Sequence, residues 1–423
     1  MTDDPAPAPP PLARHDPYAA LRHRDFRWYI VSLFCMTIAS QIQAVVVGWQ
    51  VYEITHDPLS LGLIGLAEAL PFIAIALPAG YLADRRNRRT ISVASLMVLA
   101  GCSLALLTFS ATQGFLTRVG VAPVYVVIFA SGIARSFLQP ARQALGAEIV
   151  PRRDYENASA WRSSGWQTAA VVGPAVGGLL YGFSGAVTSY GVDAVLMVAS
   201  FATFLLVRYA PEQRTPERVS MFASLVTGLR FVRQEHVILG ALSLDLFSVF
   251  LGGAEALLPV FADEILKVGP QGLGILRAAP AVGAVLMSVY LAHRGPIERA
   301  GRAMLLAVAV FAVCIIGFGL SRSFGLSLFL LAISGMADNV SVVIRSTLLQ
   351  ILTPPEMLGR VSAVNSVFIG SSNELGAFES GVAARLLGTV PAVVLGGASA
   401  LLVVALTARL VPRLRQLGRL ANA

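Results

Sequence analysis

The sequence predicts an all-α membrane protein of about twelve transmembrane helices arranged as two six-helix bundles. Composition, the spacing of apolar runs and an internal repeat carry that prediction. Of 423 residues, 56% are hydrophobic and 13% charged, with a mean hydropathy of +0.70. Soluble domains carry roughly 25% charged residues, so water is not this chain's main solvent. A helix needs about 20 apolar residues to cross a bilayer. Between Phe26 and Val411 there is room for about twelve such runs with short connections, and for no separate soluble domain.

Apolar runs broken by charge or by Pro and Gly predict spans near 27–52, 61–83, 91–112, 123–144, 159–183 and 188–208. A second set follows near 237–262, 270–292, 302–321, 325–349, 359–384 and 390–410. The chain then divides into a Pro-rich tail at 1–26, a first bundle at 27–208, a linker at 209–236, a second bundle at 237–411 and a tail at 412–423. The first tail lacks the apolar core and cleavage site of a secretory signal, and reads as flexible and cytoplasmic. In the linker, Phe222, Leu225, Val226 and Leu229 recur at helical spacing beside Arg218, Arg230 and Arg233. This is an amphipathic helix, lying either in the membrane interface or on the ends of the spans.

The bundles repeat in sequence. At one constant offset Arg142 pairs with Arg345, Pro151 with Pro354, Ser159 with Ser362 and Gly178 with Gly381; at a second, Tyr81, Leu82 and Ala83 pair with Tyr290, Leu291 and Ala292. Both repeats run in the same direction, which suits two bundles rocking about a central cavity.

Net charge is +8, but the arginines lie in short segments between apolar runs rather than on one face, which argues for membrane orientation and against nucleic acid. The clusters Arg22, Arg24, Arg27 and Arg85, Arg86, Arg88, Arg89, with Arg152, Arg153, Arg413 and Arg415, fall on one side. Only Arg118, Lys267, Arg322 and Arg385 fall on the other. The asymmetry predicts both termini in the cytoplasm of a bacterial inner (plasma) membrane.

Several function classes are excluded. The single lysine, Lys267, sits in no phosphate-cradling loop, so the chain is no ATP-driven pump by itself. The five histidines are scattered, and Cys35, Cys102 and Cys314 stand alone in separate spans. No metal site, cofactor or enzyme is expected.

Ionisable residues within spans are costly and form the functional shortlist. They are Glu68, Arg135, Asp193, Asp245, Glu255, Arg277, Asp338, Glu374 and Glu379. A carboxylate alternating between dry and wetted surroundings changes its proton affinity with each cycle, as proton-coupled transport requires. Asp245, Asp338 and Glu374 lie deepest and are the first candidates, followed by Arg135, Glu68 and Glu379; each could instead pair with an arginine. Gln43, Trp49, Trp166 and Gln167 are candidates for lining an amphiphile-binding cavity, although Trp near a span end also serves as an interfacial anchor.

The segment GYLADRRNRR, with Gly80, Asp84, Arg85, Arg88 and Arg89, resembles the signature loop of the major facilitator superfamily, with Asn87 where the family has Gly. The resemblance implies a gate at the end of the second span. Its second copy, YLAHRG, has His293 in place of the acid. The fifth span carries AVVGPAVGG, with Gly173, Pro174, Gly177 and Gly178, which is similar to the Gly-Pro motif of antiporters in that superfamily. PARQALGAEIVPRRDYENASAWR and ALRHRDFRWYI look most like the branch containing the enterobactin exporter and macrolide efflux proteins.

That resemblance implies a secondary transporter that exports a small organic molecule, siderophore-like or a drug, by alternating access as a proton antiporter. The expected partners are a small-molecule substrate, protons and the lipid bilayer, with the protein a monomer. The alternatives are a lipid or amphiphile transporter and a non-transporting membrane receptor.

Overall fold

The computed structural model describes residues 16–208, 221–294 and 297–418, and among them every regular element is a helix. The first four spans are α1 (Arg24–Thr55), α2 (Pro58–Arg85), α3 (Arg88–Ala111) and α4 (Ala122–Glu148). The continuous helix Tyr155–Leu205 has 51 residues. A straight helix of that size would be about 77 Å long, more than twice the hydrocarbon of a bilayer. Gly185, at φ 75° and ψ −178°, divides it into α5 (155–184) and α6 (186–205), a backbone geometry that side chains with a Cβ avoid.

A linker helix, Met221–Gln234, leads to α7 (His236–Gly252), α8 (Gly269–Ala292), α9 (Ala300–Leu320), α10 (Phe324–Leu352), α11 (Leu358–Leu387) and α12 (Thr389–Leu410). Among the described residues, ten helices are long and apolar enough to cross a membrane. Gly185 makes two of one, and α11, more polar than the rest, completes the expected twelve.

Two details depart from the sequence reading. The seventh span is not continuous: α7 stops at Gly252, and a single turn at Glu255–Leu257 and short pieces reach Ile265. Adjacent glycines and Pro259, which has no amide hydrogen to donate, account for the break. Glu255, expected inside that span, is exposed at the break. The end of the first tail is also anchored rather than flexible. Asn157 accepts from the Ala20 amide at 3.0 Å and donates to Pro17 O at 2.8 Å, and Trp161 Nε1 donates to Pro17 O at 3.0 Å. Residues 1–15 lie outside the described residues.

The pattern of helix contacts repeats between the halves. α2 packs on α4 as α8 packs on α10; α3 packs on α4 and α6 as α9 packs on α10 and α12. Particular residues repeat too. Gly132 on α4 faces Pro71 on α2, where an added Cβ would lie 2.6 Å from the proline ring, and Gly335 on α10 faces Pro280 on α8. The halves join along two equivalent seams, α2 with α11 and α5 with α8.

Both seams are tightest toward one end of the bundle, termed the far end, where α1 finishes and α2 begins. A Cβ on Gly178 would fall 2.6 Å from Gly274 Cα, and one on Gly381 would fall 2.7 Å from Gly62 Cα. Bare backbone is what lets helices approach so closely. The opposite, near end carries the start of α1, the α2–α3 turn and the linker helix. That helix packs on α11, with Gly228 against the Arg360 backbone, while Val226 and Leu229 stay exposed. The side chains of Phe222 and Leu225 lie outside the described residues, as does the whole of Arg218.

We expect Gly274→Leu to wedge the α5–α8 seam apart and destabilise the fold by about 1–3 kcal/mol, the usual cost of overpacking. Gly101→Leu, whose Cβ would meet nothing within 4 Å, should leave thermal unfolding in detergent unchanged. Equal midpoints for the two variants would contradict the seam.

Candidate functional site

Charged side chains from both halves meet midway along the bundle. Arg135 on α4 forms an ion pair with Glu68 on α2, and its other amino group donates to Gln43 Oε1 on α1 at 3.4 Å. Pro71 and Gly132 bring α2 and α4 together one turn away, which fixes the distance the pair must span. From the second half, Glu374 on α11 lies within electrostatic reach of Glu68, Arg135, Arg277 and Glu255. Gly65 on α2 sits against the Glu374 backbone, with a built Cβ 2.8 Å from its carbonyl oxygen, so the carboxylate lies beside the seam between the halves.

The repeat exposes a relation that the list of ionisable residues alone did not. At the two repeat offsets Glu68 corresponds to Arg277 and Arg135 to Asp338. The same two helix positions thus hold acid and base in the first half and base and acid in the second. In the first half the pair is closed. In the second it is open: Arg277 donates across the α1–α8 gap to Ala44 O at 3.3 Å, and Asp338 faces the charge of Glu255 rather than an arginine.

Asp245 has a different setting. It is buried and forms an ion pair with buried Arg345 on α10, entirely within the second half. The sequence grouped it with Asp338 and Glu374 by depth, and the structure separates it from them and pairs it with Arg345 rather than with Arg135 or Arg277, the two span arginines on the shortlist. Glu379 is half-buried one turn beyond Glu374 on α11, and Asp193 on α6 is fully buried, within electrostatic reach of Arg135.

Of the four cavity candidates, Gln43 joins the cluster. Trp49 is buried in the core against Tyr181, with ring centroids 6.5 Å apart, and so does not line an open cavity. Trp166 is exposed and Gln167 half-exposed on α5. The Gly-Pro segment of α5 works as packing surface: Gly173 lies against Gln41, Gly177 against Ile42 and Gly178 against α8, with Pro174 buried among them.

At the near end, Asn87 caps α3 by accepting from the Arg89 and Thr90 amides at 2.9 and 3.4 Å, a role the family's Gly has no side chain to fill. Arg88 pairs with Glu148 at the end of α4. Arg89 donates to Val207 O at 2.7 Å and Leu205 O at 2.8 Å, satisfying carbonyls freed at the end of α6. Gly80 lies within α2; the side chains of Asp84 and Arg85 are outside the described residues. In the second copy α8 ends at Ala292, and Arg294 stacks 5.4 Å from the Tyr290 ring centroid.

At the far end, polar latches join the halves where the glycine seams close. Arg385 on α11 bonds Asp57 at 2.9 Å, and the Tyr52 hydroxyl on α1 donates to Glu264 beyond α7. Sequence reading missed both, because Asp57 and Glu264 sit in connections and each partner lies on the other half.

Removing one partner of a buried ion pair costs about 3–5 kcal/mol. With side chains 31% and 25% exposed, Arg135 and Glu68 are part-screened, so Glu68→Gln and Arg135→Gln should each cost about 1–3 kcal/mol. The double variant should lose less than the sum in chemical denaturation. Additive losses would mean the two side chains act separately.

Comparison with known proteins agrees with this architecture. The transmembrane secretion effector family matches residues 15–422. Enterobactin exporters EntS of Escherichia coli O1:K1 and Shigella boydii serotype 18 are 27% identical over 348 residues, 81% of this chain and 81% of theirs. Among solved structures, an inward-facing, unoccupied bacterial homolog of the human lysosomal transporter Spinster superposes with a TM-score of 0.67 at 15% identity, covering 95% of this chain and 99% of its own. A peptide transporter POT in complex with sulfate gives 0.71 at 14% identity, covering 96% and 100%. The fold is thus that of major facilitator transporters, and this chain belongs to the transmembrane secretion effector family, a family of membrane transporters rather than enzymes.

Proposed function

We propose that the protein exports a small organic molecule, of the siderophore or drug type, across a bacterial inner membrane by alternating access in antiport with protons. The observation that carries the reading is the central cluster, in which Glu374 of one half lies beside the Glu68–Arg135 pair of the other. A group at such a boundary changes its neighbours whenever the halves rock, so its proton affinity and the conformation are linked.

The charge-swapped pair supplies the second moving part. With the far end latched, Glu68 and Arg135 are joined while Asp338 and Arg277 are apart. Opening the α5–α8 seam withdraws Arg277 from the Ala44 carbonyl and leaves Asp338 as its nearest equivalent partner. Protonation of Asp338 or Glu374 biases that exchange. One proton moving inward supplies about 2.3 kcal/mol per 100 mV, enough for roughly fiftyfold accumulation of cargo.

Export is favoured by the likeness to proteins named enterobactin exporters, and the near end is assigned to the cytoplasm by its arginine clusters. Both termini then lie inside, and the latched far end faces the periplasm. The 209–236 linker ties bundles 27–208 and 237–411 into one working chain, so a monomer suffices.

Reconstituted in liposomes with an internal pH-sensitive dye, the wild type should move protons on addition of enterobactin or a macrolide. Glu374→Gln or Asp338→Asn should abolish that flux while binding persists, and Asp245→Asn should chiefly lower stability. Proton-independent transport by the wild type would overturn the coupling, and binding without transport would favour a receptor. Crosslinking D57C to R385C should stop transport and reduction should restore it; undiminished transport by the crosslinked protein would remove the far-end latch from the cycle.

A further inference from the structure

We propose that Arg142 on α4 and the neighbouring Arg162 on α5 form a binding site for an anionic oxygen group, a carboxylate or catecholate, carried by the transported molecule. The inference rests on the export reading above and gives its cargo a charge.

Arg142, less than two turns from the end of α4, and Arg162, two turns into α5, lie within electrostatic reach of each other near the near end. Each lies within electrostatic reach of the buried Tyr29 hydroxyl on α1, as does the Tyr155 phenol at the start of α5. Both arginines are half-buried, and among the described residues no carboxylate reaches either of them. Among the described residues, the hydrogen bond made by the Arg142 guanidinium is to Met36 Sδ at 3.5 Å, a weak acceptor. The Tyr29 hydroxyl is turned to the Arg142 carbonyl at 3.2 Å and so accepts nothing from that backbone.

Repeat symmetry makes the absence of a counter-charge specific. Arg345 is the counterpart of Arg142, and it is neutralised by Asp245 on α7. Its counterpart helix α1 has no acid between Asp25 and Glu53. One half keeps the arginine and its acid; the other keeps the arginine, lacks the acid and adds a second cation. Two like charges withdrawn from water repel each other and lose hydration, and an oxyanion between them relieves both costs with up to two forked contacts.

Salicylate and its neutral analogue salicylamide test the site in the full-length protein, by titration calorimetry in nanodiscs of phosphatidylcholine. Salicylate should bind the wild type at least about tenfold more tightly than salicylamide. Arg142→Gln and Arg162→Gln should each weaken salicylate about tenfold. Arg142→Lys should keep most of the affinity, and Arg230→Gln, which removes an exposed linker cation, should match the wild type. Monodisperse elution and unchanged thermal unfolding would identify folded variants, and Arg142→Lys reports on the site should Arg142→Gln fail to fold.

No salicylate binding by the wild type, equal binding of the amide, or undiminished binding by the folded glutamine variants would each overturn the proposal. So would loss of salicylate binding when phosphatidylglycerol is added to the nanodiscs, which would make a lipid headgroup the occupant. Arginine-dependent salicylate binding without transport in the liposome assay would leave the anion site standing and remove export. Transport without such binding would do the reverse.

Discussion

The two halves of this protein are held together by backbone meeting backbone. At Gly178 with Gly274, and at Gly381 with Gly62, helices of opposite halves approach too closely for any Cβ. Inside a membrane there is little hydrophobic drive to join helices, since lipid tails solvate leucine as well as another helix does. Close packing over small residues, and the few polar bonds it brings within range, must supply the attraction. The Arg385 to Asp57 and Tyr52 to Glu264 latches sit where those seams close, and Arg277 reaches Ala44 O across the same gap. A contact made of short-range packing is either made or lost, which suits a joint with two positions.

The fold was legible in the sequence because its determinants are local. Apolar run length fixed the spans, and the repeat of Pro140 to Ala160 against Val343 to Ala363 pointed to two bundles of one pattern. The irregular places were less visible. Gly185 turns the chain without any polar break between α5 and α6. The seventh span was expected to be continuous because Gly252, Gly253 and Pro259 are common residues in membrane helices, and only their combination breaks one.

The site was half legible for a different reason. Depth along a helix can be counted from sequence, which is why Glu68, Arg135, Asp338 and Glu374 could be shortlisted. Azimuth and partner cannot be counted that way. Asp245 is as deep as the others, but it points to Arg345 within its own half and is neutralised there. Trp49, read as a candidate for the cavity, faces the core instead. Arg142 went unnoticed as a site because a lone arginine near a span end looks like orientation charge. Its meaning depends on what is missing around it, and that is knowable only once α1, α4 and α5 are side by side.

Duplication explains why the charges divide as they do. Two halves descended from one pattern begin with equivalent positions, and a transporter with identical halves would have no preferred side for cargo or ion. Exchanging the signs at Glu68 and Arg135 relative to Arg277 and Asp338 keeps each half able to form its own ion pair, so neither fold is sacrificed. In the second half the exchanged pair stands open, with Arg277 on the Ala44 carbonyl of the first half and Asp338 facing Glu255. The absence of an acid on α1 opposite Arg142, with Arg345 neutralised by Asp245, breaks the symmetry a second time, nearer the near end. The shared backbone thus sets where the halves can touch, and the unshared charges are where the two halves differ.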